Sequence, residues 1–353
     1  MSESAGTRMS RAERIAGFLP LHGWGGAERR PLAGDASFRR YERLTRDGRR
    51  AVLMDAPPPQ EDVRPFVRLA RHLCALGLSA PAVLAEDAAD GFVLLEDLGD
   101  LTYTRVLANP ALGPDEKTLY RLAVDALIHL QRQPAAAATP PGLPPYDEGR
   151  LLAEAELLTD WYMPAMLGVA TAEAARRAYA EAWRPLFATL AQSPAVLVLR
   201  DYHVDNLMWL PGRAGVAACG ILDFQDAVAG HPAYDLMSLL EDARRDVAPG
   251  LIAAMKDHYF AAFPGLRDAG PGRETFESAF AILAAQRHAK VIGIFTRLCV
   301  RDGKPDYLQH IPRVWRLLHG SLEHPALTTV RAWLDRSVPT ALRGIPPCKP
   351  GQP

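Results

Sequence analysis

Cysteine is scarce and scattered. The four cysteines, Cys74, Cys219, Cys299 and Cys348, stand far apart, and none forms a Cys-x-x-Cys pair. That argues against both a zinc site and a disulfide scaffold, and the expectation is reduced thiols in a cytoplasmic protein. Net charge is nearly absent as well, at −1 over 353 residues. Nothing therefore draws the whole molecule towards nucleic acid or an anionic membrane. The apolar runs all fall short of a membrane span. The N-terminal stretch MSESAGTRMSRAERIAGFLPLHGW lacks the apolar centre of a signal peptide. There is no internal repeat, and no obligatory protein partner is signalled.

What is present is ordinary for a globular protein: 48% hydrophobic and 23% charged residues. The length suits two lobes. The 30 prolines punctuate loops and helix ends, and only 337–353 is expected to be a flexible tail. Residues 1–30 form a leading extension with a short amphipathic helix at 11–22. Phe38 to Leu44 alternates as a strand, Asp47-Gly48 is a hairpin turn, and Ala51 to Asp55 is the returning strand. Residues 60–77 carry Phe66, Leu69, Ala70, Leu73 and Leu76 at helical spacing, with Gly77 as C-cap. Strands are expected at Pro81–Glu86 and Gly91–Glu96. From there the pattern turns helical, with helices at 114–132, 148–167, 172–192, 233–246, 248–262, 273–301 and 305–319. This order predicts an α+β, bilobal architecture: a small antiparallel-sheet lobe over 1–98 and a larger helical lobe over 99–336, with a cleft between them.

The helical part is interrupted at 196–226, VLVLRDYHVDNLMWLPGRAGVAACGILDFQD. Three apolar runs, Val196–Leu199, Leu207–Leu210 and Cys219–Leu222, read as short buried strands. Their ends deliver Asp201, Asn206 and Asp223. Phosphoryl transfer needs a carboxylate to orient the attacking hydroxyl, here Asp201. It also needs oxygen ligands for Mg²⁺, here the Asn206 amide and the Asp223 carboxylate. Any one of these residues alone reads as a turn or cap. Together, bracketed by strands, they point to a kinase acting on a small molecule. The small, flexible segment Ala33-Gly34-Asp35-Ala36-Ser37, followed by Phe38, can bring backbone N–H groups against phosphates, although four such residues alone read more readily as a plain turn.

The segments LRDYHVDNLMW and GILDFQDA resemble the aminoglycoside-phosphotransferase and choline-kinase-like family, which shares the protein-kinase fold. The likeness spans about 30–320. It implies ATP and Mg²⁺ as cofactors, Asp201 as base, and Asn206 and Asp223 as metal ligands. It implies nucleotide binding by Gly34, Asp35, Ala36, Ser37, Phe38 and Arg40, and an adenine hinge at Glu96–Leu98. Asp235 matches a family aspartate that holds the catalytic loop; as a helix N-cap it would play a compatible role. Several motifs in order, among them DASFRRY, VLMDAPP, LLEDLGD, LPPYD and ILDFQDA, look like a bacterial cell-wall sugar kinase subgroup. That resemblance implies ATP-dependent phosphorylation of the anomeric hydroxyl of N-acetylmuramic acid and N-acetylglucosamine.

One position departs from the family. Met54 stands where kinases of this fold place a phosphate-pairing lysine on the third strand. Arg39 and Arg40 lie on the preceding strand, on opposite faces, and Arg40 is the favoured substitute; the other reading is that both are solvated strand residues. Glu61 is the acidic partner expected at the next helix. For the acceptor sugar, Arg200, His203, Asp205, Gln225, Asp226, Trp161 and Tyr162 are candidates. Aromatic faces suit a pyranose, and Arg200 suits a lactyl carboxylate. For the Trp161-Tyr162 pair, helix packing is an equal alternative, and for Arg200 a brace on a neighbouring loop is the alternative. Arg287, His288 and Lys290 either rim the same cleft or form a solvated face. The remaining readings are a kinase for an aminoglycoside or a choline-like amine, and a nucleotide-binding pseudokinase.

Overall fold

The structure, a computed structural model, describes residues 9–32 and 38–347. The chain opens with helix α1 (Arg11–Leu21) and strands β1 (Glu28–Pro31), β2 (Arg40–Arg46) and β3 (Arg49–Asp55). Helix α2 (Val63–Ala75) and strands β4 (Val83–Asp87) and β5 (Phe92–Glu96) come next. Helices α3 (Tyr103–Ala108), α4 (Glu116–Gln131), α5 (Glu148–Ala155) and α6 (Glu173–Leu190) follow. Four short strands, β6 (Val196–Val198), β7 (Leu207–Trp209), β8 (Cys219–Ile221) and β9 (Val228–Gly230), interrupt the helices. The remaining long helices are α7 (Ala233–Leu240), α8 (Pro249–Ala261), α9 (Pro271–Val300), α10 (Ile311–Ser321) and α11 (Thr328–Ser337). The α+β class expected from the sequence is the class observed.

Two compact units result. The first comprises the chain up to Gly113 together with Leu207–Asp226; the second comprises Pro114–Asn206 and the chain from Ala227 onward. The segment that carries Asp223 thus packs with the sheet and not with the helices around it in sequence.

The first unit is built on an antiparallel sheet of order β1-β2-β3-β5-β4. Asp47 (φ 50°) and Gly48 (φ 74°) turn β2 into β3, the left-handed pair that a two-residue hairpin needs to match strand twist. Strand β5 reads FVLL without alternation because it is buried on both faces. Helix α1 starts on a capping box between Ser10 and Glu13. Its Ile15, Phe18 and Leu19 close over Leu44, Ala51, Leu53, Phe92 and Leu94 of the sheet. Helix α2 is capped by Asp62 and buries Phe66, Leu69, Ala70 and Leu73. Phe66 stacks on Phe224 at 5.0 Å. The β7–β8 hairpin is anchored in the same unit by three bonds: Trp209 N–H to Leu101 O (2.7 Å), Ile221 N–H to Ser79 O (2.8 Å) and Ser79 Oγ to Ala217 O (2.6 Å).

In the second unit β6 pairs antiparallel with β9. Helix α9 runs 30 residues, and Ala284, Ala285, Gln286, Arg287, His288, Ala289 and Lys290 are all buried on it. The expected helix at 148–167 is broken. It stops at Ala155, passes through a π-helical turn at Leu158–Tyr162 and resumes at Met163–Leu167. The break lies where α9 comes closest, since a Cβ on Gly293 would stand 2.3 Å from the Leu157 carbonyl carbon. The expected helix at 305–319 begins as a 3₁₀ segment, Pro305–His310, before α10. Strands β1 and β9 and helices α3 and α11 are additional to the expectation. Residues 340–344, inside the stretch expected to be loose, are tied down: the Tyr162 hydroxyl bonds Leu342 O (2.6 Å) and Gly344 O (2.8 Å).

Candidate active site

In the second unit the loop after β6 is shaped by a buried carboxylate. Asp235, 1% exposed on α7, accepts the backbone N–H groups of Leu199 (2.7 Å) and Arg200 (2.9 Å). Burial pushes its pKa up to about 7, against the pull of those two bonds. Arg200 is held at φ 71°, a conformation uncommon for a residue with a side chain and frequent where function fixes the backbone. The turn is completed by Asp201 N–H to Leu199 O (2.9 Å) and Asn206 N–H to His203 O (2.9 Å). The Asn206 side chain donates through Nδ2 to the Asp201 carbonyl (3.0 Å). This fixes the amide's orientation and makes Oδ1 the atom suited to a cation. Tyr202 anchors the loop from beneath, its hydroxyl bonding Ala123 O (2.8 Å).

The Asp201 side chain is 42% exposed, while its surroundings are cationic. The protein around it would by itself raise the carboxyl pKa. Lys290, Arg287, His203 and Arg200 overturn that and hold it below the usual range. His203 is 4% exposed. Burial and the neighbouring Arg244 lower its pKa to about 4, so it is neutral at physiological pH. Its Nε2 faces two donors, Arg244 Nη1 (3.3 Å) and Asn206 Nδ2 (3.4 Å), so the ring proton sits on Nδ1. Asp205 lies 3.4 Å from Arg244 Nε. His203 and Asp205 therefore sit on the loop itself.

Beside the loop is a charged cluster centred on Glu154. Burial pushes this carboxylate up, but Lys290 and Arg200 hold it below its ordinary value. Arg200 pairs with it directly. Lys290 Nζ lies 3.1 Å away and Gln286 Nε2 donates at 3.3 Å. The Tyr146 hydroxyl also donates to it, and the Arg200 guanidinium lies over the Tyr146 ring. Arg200 is therefore not the open carboxylate receptor expected from the sequence. Its charge is matched within the fold, and it braces the loop.

In the first unit Asp223 follows β8 at φ 57°. Gln225 Nε2 donates to its Oδ1 (2.8 Å) and to Asp226 Oδ2 (3.3 Å), so the Gln225 amide nitrogen orients the carboxylate, while its Oε1 has no hydrogen-bond partner among the described residues. The arginine next to Asp223 is Arg39. Its side chain is 10% exposed, with Nη2 3.8 Å from Asp223 Oδ1 and Nε 3.8 Å from Glu61 Oε2. Arg40, favoured from the sequence, is exposed and pairs across the sheet with Asp55. The strand leaves Arg39 on the Asp223 side. Met54 is fully buried. The first lysine of the chain is Lys117, so the first unit has only arginine to offer phosphates. Phe38 is exposed, and its N–H donates to Glu61 Oε1 (3.1 Å). Gly34, Asp35, Ala36 and Ser37 lie outside the described residues. At the hinge, Glu96 pairs with Arg213, and Asp97 pairs with Arg43 Nε (2.7 Å). Among the described residues, no hydrogen bond involves the backbone of Leu98.

The aromatic pair is split by its environment. Tyr162 is fully buried against Trp315 at 5.5 Å, with its hydroxyl committed to the chain's last described segment. It is a packing residue and not a sugar platform. Trp161 is half-buried. Among the described residues no group of three or more His, Cys, Asp or Glu side chains is arranged to hold a metal. The Asn206 amide oxygen and the Asp223 carboxylate are hard oxygen donors. Each, in its own unit, is the kind of oxygen donor that Mg²⁺ takes.

The family model described as the phosphotransferase enzyme family matches residues 28–270. The N-acetylmuramate/N-acetylglucosamine kinase of Caulobacter vibrioides is 39% identical over 361 residues, covering 93% of this chain and 97% of that protein. The N-acetylmuramate/N-acetylglucosamine kinase of Pseudomonas aeruginosa is 42% identical over 301 residues, covering 84% and 85%. Among solved structures, the GDP complex of aminoglycoside 2'-phosphotransferase-IIIa superimposes with a TM-score of 0.56 at 16% identity, covering 92% of this chain and 99% of that one. That likeness is one of fold: the protein-kinase-like architecture.

Proposed function

The chain belongs to the phosphotransferase enzyme family, and from that premise we propose that it transfers the γ-phosphoryl group of ATP to the anomeric hydroxyl of N-acetylmuramate and N-acetylglucosamine. The reaction places it in the re-use of cell-wall amino sugars. The observation that carries the acceptor assignment is the pair of relatives named for both sugars, each matching more than four-fifths of this chain. The charge around Asp201 agrees. A polyamine such as an aminoglycoside, or a choline-like amine, calls for an acidic pocket, whereas Arg287, Lys290 and Arg200 surround this carboxylate.

In this reading Asp201 accepts a hydrogen bond from the C1 hydroxyl and takes its proton as O1 attacks. The new bond joins O1 to the γ-phosphorus, and the bond from that phosphorus to the β–γ bridging oxygen breaks, releasing ADP. Asn206 Oδ1 and Asp223 would hold Mg²⁺, which when bound neutralises phosphate charge. Asp235 and Asn206 keep the loop in the shape that presents Asp201. The Leu98 backbone offers its N–H and C=O to the adenine edge. Positioning and fixed charge account for most of the catalysis.

Arg39 takes the role of the missing lysine. It lies between Glu61 and Asp223, 3.8 Å from each, on the side of the strand that meets Asp223, and its planar fork suits phosphate oxygens. Arg39→Met is expected to weaken nucleotide affinity by about tenfold, and Arg40→Met to change it by less than about twofold, the usual consequence of an exposed surface change. Fluorescence titration with an ATP analogue measures both. The opposite order would return the role to Arg40.

The proposal is tested by ATP consumption with four acceptors side by side: N-acetylmuramate, N-acetylglucosamine, kanamycin and choline. Turnover is expected with the two acyl amino sugars. Turnover with kanamycin or choline alone would replace the acceptor assignment, and no turnover with any would favour a non-catalytic nucleotide binder.

A further inference from the structure

Of the buried polar side chains around the middle of α9, Gln286, His288 and Lys290 each have at least one close partner, although Gln286 Oε1 and His288 Nδ1 find none among the described residues. Gln286 Nε2 donates to Leu151 O at 3.0 Å and to Glu154. His288 Nε2 lies 2.7 Å from Glu241 Oε2. Lys290 pairs with Glu154 at 3.1 Å. Arg287 differs. It is 4% exposed, and its Nη1 is buried with no hydrogen-bond partner among the described residues. Its Nη2 stands 3.9 Å from Asp201 Oδ1, beyond hydrogen-bond reach.

A guanidinium removed from water with donors unmade is costly, and an orphaned buried donor beside a catalytic carboxylate calls for an explanation, of which a bound anion is one. The gap to Asp201 supplies the place. An acceptor hydroxyl bonded to Asp201 lies within one sugar ring of the Arg287 fork, which matches two oxygens of a carboxylate or a phosphate. We propose that Arg287 is the anion-binding group of the acceptor pocket, receiving a carboxylate or phosphate-monoester oxygen carried by the sugar. The assignment rests on the acceptor reading given above. The anion has two sources in that reaction: the lactyl carboxylate of N-acetylmuramate, present from the start, and the phosphoryl group once it is bonded to O1. Neutral N-acetylglucosamine provides only the second.

Equilibrium binding to the wild type, Arg287→Met and Arg287→Lys separates these sources. The probes are N-acetylglucosamine, N-acetylmuramate and N-acetylglucosamine 1-phosphate, each titrated calorimetrically into the full chain. Arg287→Met is expected to lose about 10- to 100-fold in affinity for an anionic probe while binding N-acetylglucosamine within about twofold of wild type. Arg287→Lys is expected to fall between the two, because it keeps the charge and loses the fork. A loss confined to N-acetylmuramate assigns Arg287 to the carboxylate, and a loss confined to the 1-phosphate assigns it to the transferred group. Parallel weakening of all three probes, or no change in any, overturns the proposal and leaves Arg287 as a counter-ion of Asp201. Nucleotide affinity and the melting temperature report whether the variants are folded. If Arg287→Met is not, the same comparison with Arg287→Lys decides, unchanged affinity for both anions being the contrary result. A wild-type protein that binds none of the three probes overturns the acceptor reading itself. Wild-type binding that the variants do not alter overturns the Arg287 assignment alone.

Discussion

Asp201→Asn lowers kcat by about 10²- to 10⁴-fold, the range for loss of a positioned general base, and leaves ATP affinity close to that of the wild type. The substitution keeps the volume and one acceptor oxygen. The Asn206 Nδ2 bond goes to the Asp201 main-chain carbonyl and not to its side chain, so the loop retains its internal tie. The Asp235 bonds to Leu199 and Arg200 are also untouched. What is lost is a negative oxygen able to take the proton of the attacking hydroxyl. The cations around Asp201 also fix the pH dependence. Because Lys290, Arg287 and Arg200, together with His203 once it is protonated, hold its pKa below the ordinary carboxylate value against the opposing effect of burial, the basic form persists to lower pH. The acid limb of kcat then lies below the ~4 of a free aspartate, and removing one of those charges moves the limb upward. Steady-state rates across pH, with nucleotide titrations alongside, check both statements. Near-normal turnover in Asp201→Asn would remove the residue from the chemistry.

The second large effect is expected at Asp223. Asparagine tolerates the left-handed conformation, φ 57° here, better than most residues. Its Oδ1 can still accept from Gln225 Nε2, as the aspartate does at 2.8 Å. Asp223→Asn therefore changes charge with little change of shape. If Asp223 and Asn206 hold the cation, ADP affinity in the wild type rises on adding Mg²⁺, and in the variant it does not. Turnover falls by about 10²-fold or more, as expected when fixed charge opposite a transferring phosphoryl group is removed. A variant whose nucleotide affinity still responds to Mg²⁺ as the wild type does would move the metal site elsewhere. Arg39 adds a consequence. With its guanidinium 3.8 Å from Asp223, the variant also loses the carboxylate that balances this cation.

Much of this was legible in the residues. The Asp47-Gly48 turn placed β2 and β3 because only a few residue pairs adopt that geometry. The apolar runs at Val196, Leu207 and Cys219 were legible as short strands, and β6, β7 and β8 form there, ahead of Asp201 in one unit and Asp223 in the other. The partners were less legible where they come from afar. Arg200 reads as an open cation until Glu154, 46 positions earlier, is seen beside it. Alternation sends Arg39 and Arg40 to opposite faces but does not say which face meets Asp223. For Arg287 two readings stood, a cleft rim or a solvated face, and the apolar residues flanking it in AILAAQRHAKVIG point to a buried helix. Such a helix is buried throughout, so its polar residues need partners or ligands. Strand β1, ERRP, is exposed along its whole length and had no alternation to betray it. The π-helical break at Leu158–Tyr162 depends on how closely Gly293 approaches Leu157, which no local pattern records.

The central claim is transfer to the anomeric oxygen, and the product decides it. Phosphorus and proton NMR of a reaction containing the enzyme, ATP, Mg²⁺ and N-acetylglucosamine or N-acetylmuramate resolves which hydroxyl is esterified. The account predicts a sugar 1-phosphate whose phosphorus couples to the anomeric proton, formed in step with ADP and absent with Asp201→Asn. A phosphate on any other hydroxyl, or ATP consumed with no sugar phosphate formed, would contradict it.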